Sequence, residues 1–188
     1  METGILPRKQ EYCVTCLDAA RHQIGGKDMA RPARIDDAID AIEVVRQSIL
    51  SLCVADHHND RATVDRWLAN KNPETFVTWI NDPENFCVVD EITGKVRGVG
   101  LVRRNGTVLL FYVAPGYQRK GVGRRIHGAL EAHAVGWGLQ RLYLESTAEA
   151  RQFYESMGYT VDGPEKRLFG MLMAYPYSKL LQPGSQIL

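Results

Sequence analysis

The chain has 188 residues, 45% of them hydrophobic, and its 23 Lys and Arg against 22 Asp and Glu leave a formal charge of +1. That length and apolar content suit one domain with a proper core. So balanced a charge provides no global field to draw nucleic acid or an anionic membrane, and no segment approaches the ~20 apolar residues of a bilayer span.

The first ten residues hold no continuous apolar stretch of the kind that directs export, so a soluble, cytoplasmic protein with its four cysteines reduced is expected. Residues 1–28 show no sustained periodicity and read as an extension of uncertain structure, with a single domain over 29–188. Within the extension Cys13 and Cys16, with His22 nearby, have the spacing of half a metal or redox site. They lack close further ligands and a preceding strand, and no metal is expected.

Met29–Ile35 reads as a short first strand. Asp36 or Asp37 then caps a helix whose apolar positions Ala38, Ala41, Ile42, Val45, Ile49 and Leu52 recur at three and four residues. Cys53–Asp60 breaks that pattern. A second helix is predicted over Arg61–Leu68, and Asn72, Pro73 and Glu74 supply an N-cap, a first-turn proline and an acidic first turn for a third, ending near Asn81–Pro83. The period then becomes strand-like: Phe86–Val89, a turn at Thr93-Gly94, Val96–Val102, an Asn105-Gly106 hairpin signal, and Thr107–Val113.

Val122, Ile126, Ala129, Leu130, His133 and Trp137 fall on one face of a helix that Gly138 terminates. Arg141–Glu145 returns to strand. Ser146 and Glu149 have the spacing of a capping box for a helix running through Met157, and Tyr159–Val161 and Leu168–Ala174 read as late strands. Helices alternating with a strand meander and a strand–helix–strand crossover predict an α/β or α+β mixed sheet.

The chemistry concentrates between the strand ending at Val113 and the helix that follows. A strand, a short loop and a helix N-terminus gather backbone N–H groups and the helix dipole at one point, an anion site in waiting. Gly121 and Gly123 leave room for a phosphate to approach the backbone, and Arg119, Lys120 and Arg124 add positive charge that suits a pyrophosphate. Arg125 points a helical step away. A dinucleotide fingerprint does not fit, because Ile126 stands where a third small residue is needed, and no Gly-Lys-Ser/Thr run exists for a nucleoside-triphosphate loop.

Gln118-Arg119-Lys120-Gly121-Val122-Gly123, preceded by Val113-Ala114-Pro115, resembles the acetyl-CoA-binding motif of the GNAT superfamily of N-acyltransferases. Thr147 through Tyr159, with Ala150, Phe153, Tyr154 and Gly158, is similar to that family's Asn-x-x-Ala-x-x-Phe-Tyr-x-x-x-Gly-Phe/Tyr helix. The resemblance covers roughly residues 29–175. It implies a mostly antiparallel twisted sheet flanked by helices, with acetyl-CoA as co-substrate. The pantetheine arm would dock at the strand end by Tyr112 and Val113, beyond a bulge. The pyrophosphate would lie on the amides from Arg119 through Arg124, Val122 included, and Gln118 opens the motif. Thr147 stands where the family often has asparagine, which weakens a side-chain contact to the cofactor there.

By the same resemblance the reaction is acetyl transfer to a primary amine of a small molecule or peptide, with Tyr154 as candidate general acid toward the leaving thiolate. The general base is open among Glu145, at a strand end, His57 or His58, in the loop after the first long helix, and water with no single essential group. Tyr112 either lines the site or packs in the sheet. The different-class alternative is a non-catalytic acyl-CoA-binding module. Neither nucleic acid nor membrane is expected as a partner, and the resemblance allows a homodimer without requiring one.

Overall fold

A computed structural model describes residues 29–182 of the chain. The expected extension, with Cys13 and Cys16, lies outside the described residues. Strands β1 (Met29–Pro32), β2 (Asn85–Ile92), β3 (Lys95–Arg103) and β4 (Val108–Val113) pair antiparallel in that order. Thr93 and Gly94 both take positive φ in the two-residue β2–β3 turn, the geometry whose twist matches paired strands. The β3–β4 hairpin turns through Gly106, where the Asn-Gly signal predicts it, and a register shift makes Leu109 an extra residue at the start of β4.

A second sheet holds β5 (Arg141–Ser146), β6 (Thr160–Val161), β7 (Lys166–Phe169) and β8 (Leu172–Leu180), with β8 between β5 and β6 and also paired to β7. The long strand differs from the expected Leu168–Ala174 at both ends. Residues 168–171 belong to a hairpin around Gly170, and β8 continues through Pro176. That proline is tolerated because its backbone faces β6, which ends at Val161; its carbonyl accepts the Asp162 N–H at 2.9 Å.

Between β1 and β2 run α1 (Ala38–Leu52), α2 (Val54–His57), α3 (Arg61–Leu68) and α4 (Pro73–Asn81). The predicted apolar face of α1 is buried against β3, apart from the half-buried Leu52. Asn72 caps α4 as expected, its Oδ1 accepting the Thr75 N–H at 2.8 Å. The predicted break at 53–60 contains the short α2, in which buried His57 is fixed from both sides: Nδ1 accepts the Asn59 N–H at 3.0 Å, so Nε2 donates to the Ile49 carbonyl at 3.1 Å. Both ring nitrogens are thereby spent on the backbone, and His57 leaves the set of candidate bases.

The crossover helix α5 (Val122–Gly136) packs on the other side of the first sheet, where Gly98 and Gly100 omit Cβ atoms that would collide with Val122 and Ile126. The last helix, α6 (Arg151–Ser156), starts later than Ser146 and Glu149 suggest. Ser146 is the end of β5, and its hydroxyl donates to the Thr147 carbonyl. The turn before α6 is held instead by Asp56 in α2, whose Oδ1 accepts the Ala148 N–H at 2.8 Å. The local capping pattern loses to a tertiary hydrogen bond. Among the described residues no helix is long and apolar enough to cross a membrane.

Candidate active site

β4 and β5 run parallel but touch through a single bridge, Thr107 to Tyr143, supported by the Tyr143 N–H on the Gly106 carbonyl at 2.9 Å. Beyond it the two strands share no ladder, which leaves a gap through the sheet. The Ala114 N–H donates to Arg97 at 2.8 Å, and the period of two therefore turns the backbone groups of Phe111 and Val113 the other way, toward the gap. Their side chains, Tyr112 to one face and Phe111 and Val113 to the other, join the two halves of the core.

A cleft of about 800 Å³ occupies this gap. Tyr112, Val113, Gln118, Arg119, Gly123 and Thr147 line it, and so do Tyr154 and Glu145. Lys120, Gly121, Val122 and Arg124 do not line it with their side chains. Lys120 lies 4.8 Å from the Tyr117 ring centroid, Val122 is buried in the core, and Arg124 is exposed on the first turn of α5.

The α5 N-terminus is built to receive an anion. Gly121 is its N-cap at φ 82, no side chain caps it, and no acid stands in its first turn. The first backbone acceptance inside the helix is Gly121 carbonyl from the Arg125 N–H, so the amides of Val122, Gly123 and Arg124 lie ahead of the helical ladder. Arg119 also takes positive φ, 60°, and alternating left- and right-handed residues of this kind turn successive N–H groups into one concavity. Gln118 Oε1 accepts the Gly116 N–H at 3.0 Å and shapes the loop from within. The donor set fits a pyrophosphate.

The glycines work differently from the expectation that both simply clear space for phosphate. Gly121 supplies the left-handed turn. A Cβ on Gly123 would stand 3.1 Å from the Phe153 ring, so this glycine lets α5 press against the aromatic pair that ends in Tyr154. Arg125, off the site by sequence, lies beneath the loop: it clamps the fully buried Asp90 of β2 through two hydrogen bonds of 2.6 and 2.8 Å, and its Nη1 reaches the Lys120 carbonyl.

Tyr154 sits edge-on to Phe111, Phe153 and Tyr159. Burial, reinforced by Tyr159, Tyr112 and Cys53, pushes its pKa well above the ordinary phenol value, so it carries its proton throughout the physiological range. Tyr112 is pushed up as well, chiefly by burial. Glu145 is partly exposed at the other wall and pairs with Lys166 of β7. The sequence alone does not point to this wall for Phe111, hidden inside an apolar strand, or for Cys53, whose thiol burial and the nearby Asp56 and Glu149 push up to about 12. Among the described residues no cluster of three or more His, Cys, Asp or Glu could hold a metal ion.

A family model described as an acetyltransferase (GNAT) domain matches residues 53–181. Among solved structures, a GCN5-related N-acetyltransferase from Rhodopseudomonas palustris is similar with a TM-score of 0.73 at 20% identity, over 85% of this chain and 99% of that one. The PaiA N-acetyltransferase of Thermoplasma acidophilum, solved with coenzyme A, gives 0.70 at 18% identity over 82% and 99%. YncA of Salmonella typhimurium, solved with acetyl-CoA, gives 0.60 at 21% identity over 85% and 96%. No curated protein sequence matches the chain. With the family model matched over most of its length, and a mixed sheet flanked by helices that those structures share, the chain belongs to the GNAT acetyltransferase family.

Proposed function

We propose that the protein is an acetyl-CoA-dependent N-acetyltransferase that acts on a primary amine of a small molecule or peptide. The observation that carries this reading is the parting of β4 from β5 after one bridge, which opens a cleft between an uncapped, cation-flanked helix terminus and a buried tyrosine. The coenzyme A and acetyl-CoA in the PaiA and YncA structures support the choice of cofactor.

When bound, acetyl-CoA supplies an activated acetyl thioester. Arg119, Lys120 and Arg124, with the open amides at the start of α5, would hold its pyrophosphate. The backbone groups of Phe111 and Val113 would pair with the pantetheine amides as an added strand would. Tyr154, kept protonated by burial, would donate a hydrogen bond to the sulfur as negative charge develops there. Its raised pKa makes a free phenolate unfavourable, so the proton it gives must be replaced in step, by the proton the amine loses. Glu145 or water would take that proton first.

Release of free thiol from acetyl-CoA across a panel of primary amines tests the reading. Amine-dependent release is expected. Tight coenzyme A binding with no release for any amine would instead favour an acyl-CoA-binding module without turnover.

A further inference from the structure

A second cavity, of about 930 Å³, meets the first at Tyr112, Leu144 and Glu145 but reaches none of the loop before α5. It extends toward the exit of α3 and the strand β7. Charges of both signs line it: Arg66 and Lys71 come from the end of α3 and its exit, Glu145 from β5 and Asp162 from just after β6, and Trp67 and Phe169 line it too.

Lys71 is the unusual member. It is 9% exposed, its ammonium donates to Asn70 Oδ1 at 2.6 Å and lies 5.5 Å from the Trp79 ring centroid, and among the described residues its side chain makes no other hydrogen bond or ion pair. Arg66 stacks over Phe169 at 4.9 Å, and Arg46 donates to the Lys71 carbonyl at 3.2 Å. Among the described residues none of these three cations has a carboxylate within ion-pair distance. A buried ammonium served only by a neutral amide and a ring is strongly unfavourable unless an anion completes it. Burial accordingly lowers the Lys71 pKa, a tendency an incoming anion would reverse.

We propose that this second cavity receives an acceptor whose primary amine is joined to a carboxylate, with the carboxylate against Lys71 and Arg66 and the amine toward Glu145. The inference rests on the transferase reading and names its acceptor class. A singly charged carboxylate fits better than a phosphate, because Asp162, which has no cation within ion-pair distance among the described residues, lines the same space and would oppose a dianion, while Lys166 offsets only part of the Glu145 charge. The aromatic walls accommodate the apolar body of such a molecule and, near Glu145, the cationic form in which the amine arrives.

Matched pairs of amines that differ by one carboxylate, such as lysine with cadaverine and phenylalanine with phenethylamine, test it in the full chain, with phosphoethanolamine against ethanolamine as a third pair. The carboxylated members are expected to show at least tenfold higher kcat/KM. Lys71→Met should remove that advantage through KM, leaving the decarboxylated members and the KM for acetyl-CoA within twofold; Arg66→Gln should do the same more weakly and serves if Lys71→Met fails to fold. Calorimetry of the carboxylated amine without acetyl-CoA should show the same loss of affinity in the variant. Turnover with no carboxylate preference, an equal loss for both members of a pair, or a preference for the phosphate would overturn the proposal alone. No turnover with any amine would overturn the transferase reading, and this inference with it.

Discussion

Tyr154 is held in an apolar, aromatic setting whose net effect is to keep its proton on, and that fixes what it can contribute. A phenol that resists ionisation stabilises a developing thiolate as a hydrogen-bond donor, an effect general-acid mutants usually reveal as 10²-fold or more in rate. Tyr154→Phe keeps the ring contacts and loses only the hydroxyl, so kcat should fall by about 10²-fold while coenzyme A affinity stays within twofold, measured by steady-state kinetics and calorimetry. Because the folded pKa lies above the ordinary value, ionisation of Tyr154 should impose no loss of rate up to about pH 10. An unchanged kcat in Tyr154→Phe would remove it from the mechanism. Cys53 makes a parallel case in the same cleft. With its thiol pushed up to about 12, almost none is thiolate at pH 8, and peptide-level mass spectrometry should find Cys53 unmodified by iodoacetamide in the folded protein and modified after denaturation.

The helix α5 and its loop act as one unit with α6, through contacts that a local reading of the sequence does not contain. Gly123 was legible as part of a phosphate loop, but its contact with Phe153 is not, since nothing in the run from Gln118 to Gly123 names a partner thirty residues on. Two substitutions separate its roles. Gly123→Glu puts bulk and negative charge at the first turn and should abolish coenzyme A binding in calorimetry. Gly123→Ala adds only a methyl group 3.1 Å from the Phe153 ring; better helix propensity offsets part of the crowding, and stability should change by less than about 1 kcal/mol. Its effect should fall on kcat, because Phe153 packs edge-on against Tyr154 and a shift of one ring is felt by the other. The double variant Gly123→Ala, Phe153→Leu should recover rate, and additive losses in that cycle would contradict the coupling. The start of α6 carries the same lesson. Ser146 and Glu149 spell a cap, yet the turn is held through the Ala148 amide by Asp56, ninety-two residues earlier. The α1 face, the Asn72 cap and the two hairpin turns were readable because each is settled within a few residues of itself.

The two half-sheets meet at one bridge, so the fold's cohesion depends on ties made elsewhere, and several of these titrate. Arg31 in β1 holds Asp37 at the entrance to α1 and Glu91 in β2, with bonds of 2.7 to 3.0 Å. Across the other half, Glu131 of α5 binds His127 and Lys179 of β8. Burial alone would raise the pKa of Asp37 and Glu131, but these partners outweigh it and hold both below the usual carboxylate range. His133, stacked on Phe86 at 3.7 Å, is lowered by burial and by Arg104. All three shifts have the same sign: the unfolded chain binds the proton more readily, so stability rises with pH through each window. For the carboxylates it is fully present above their unfolded values near 4 and is lost as pH falls through the lowered folded values. For His133 it is present above about 6.5 and is lost below that. Urea unfolding from pH 2.5 to 8 should therefore show a free energy that climbs at the acid end and again, more gently, toward neutrality. Asp37→Asn should lower stability at pH 7 by roughly 1–3 kcal/mol and flatten the acid limb. His133→Phe, which keeps the stack, should erase the rise near neutrality and leave the acid limb alone. A stability that is flat or falls between pH 3 and 7 would mean that these ties do not stabilise the folded state.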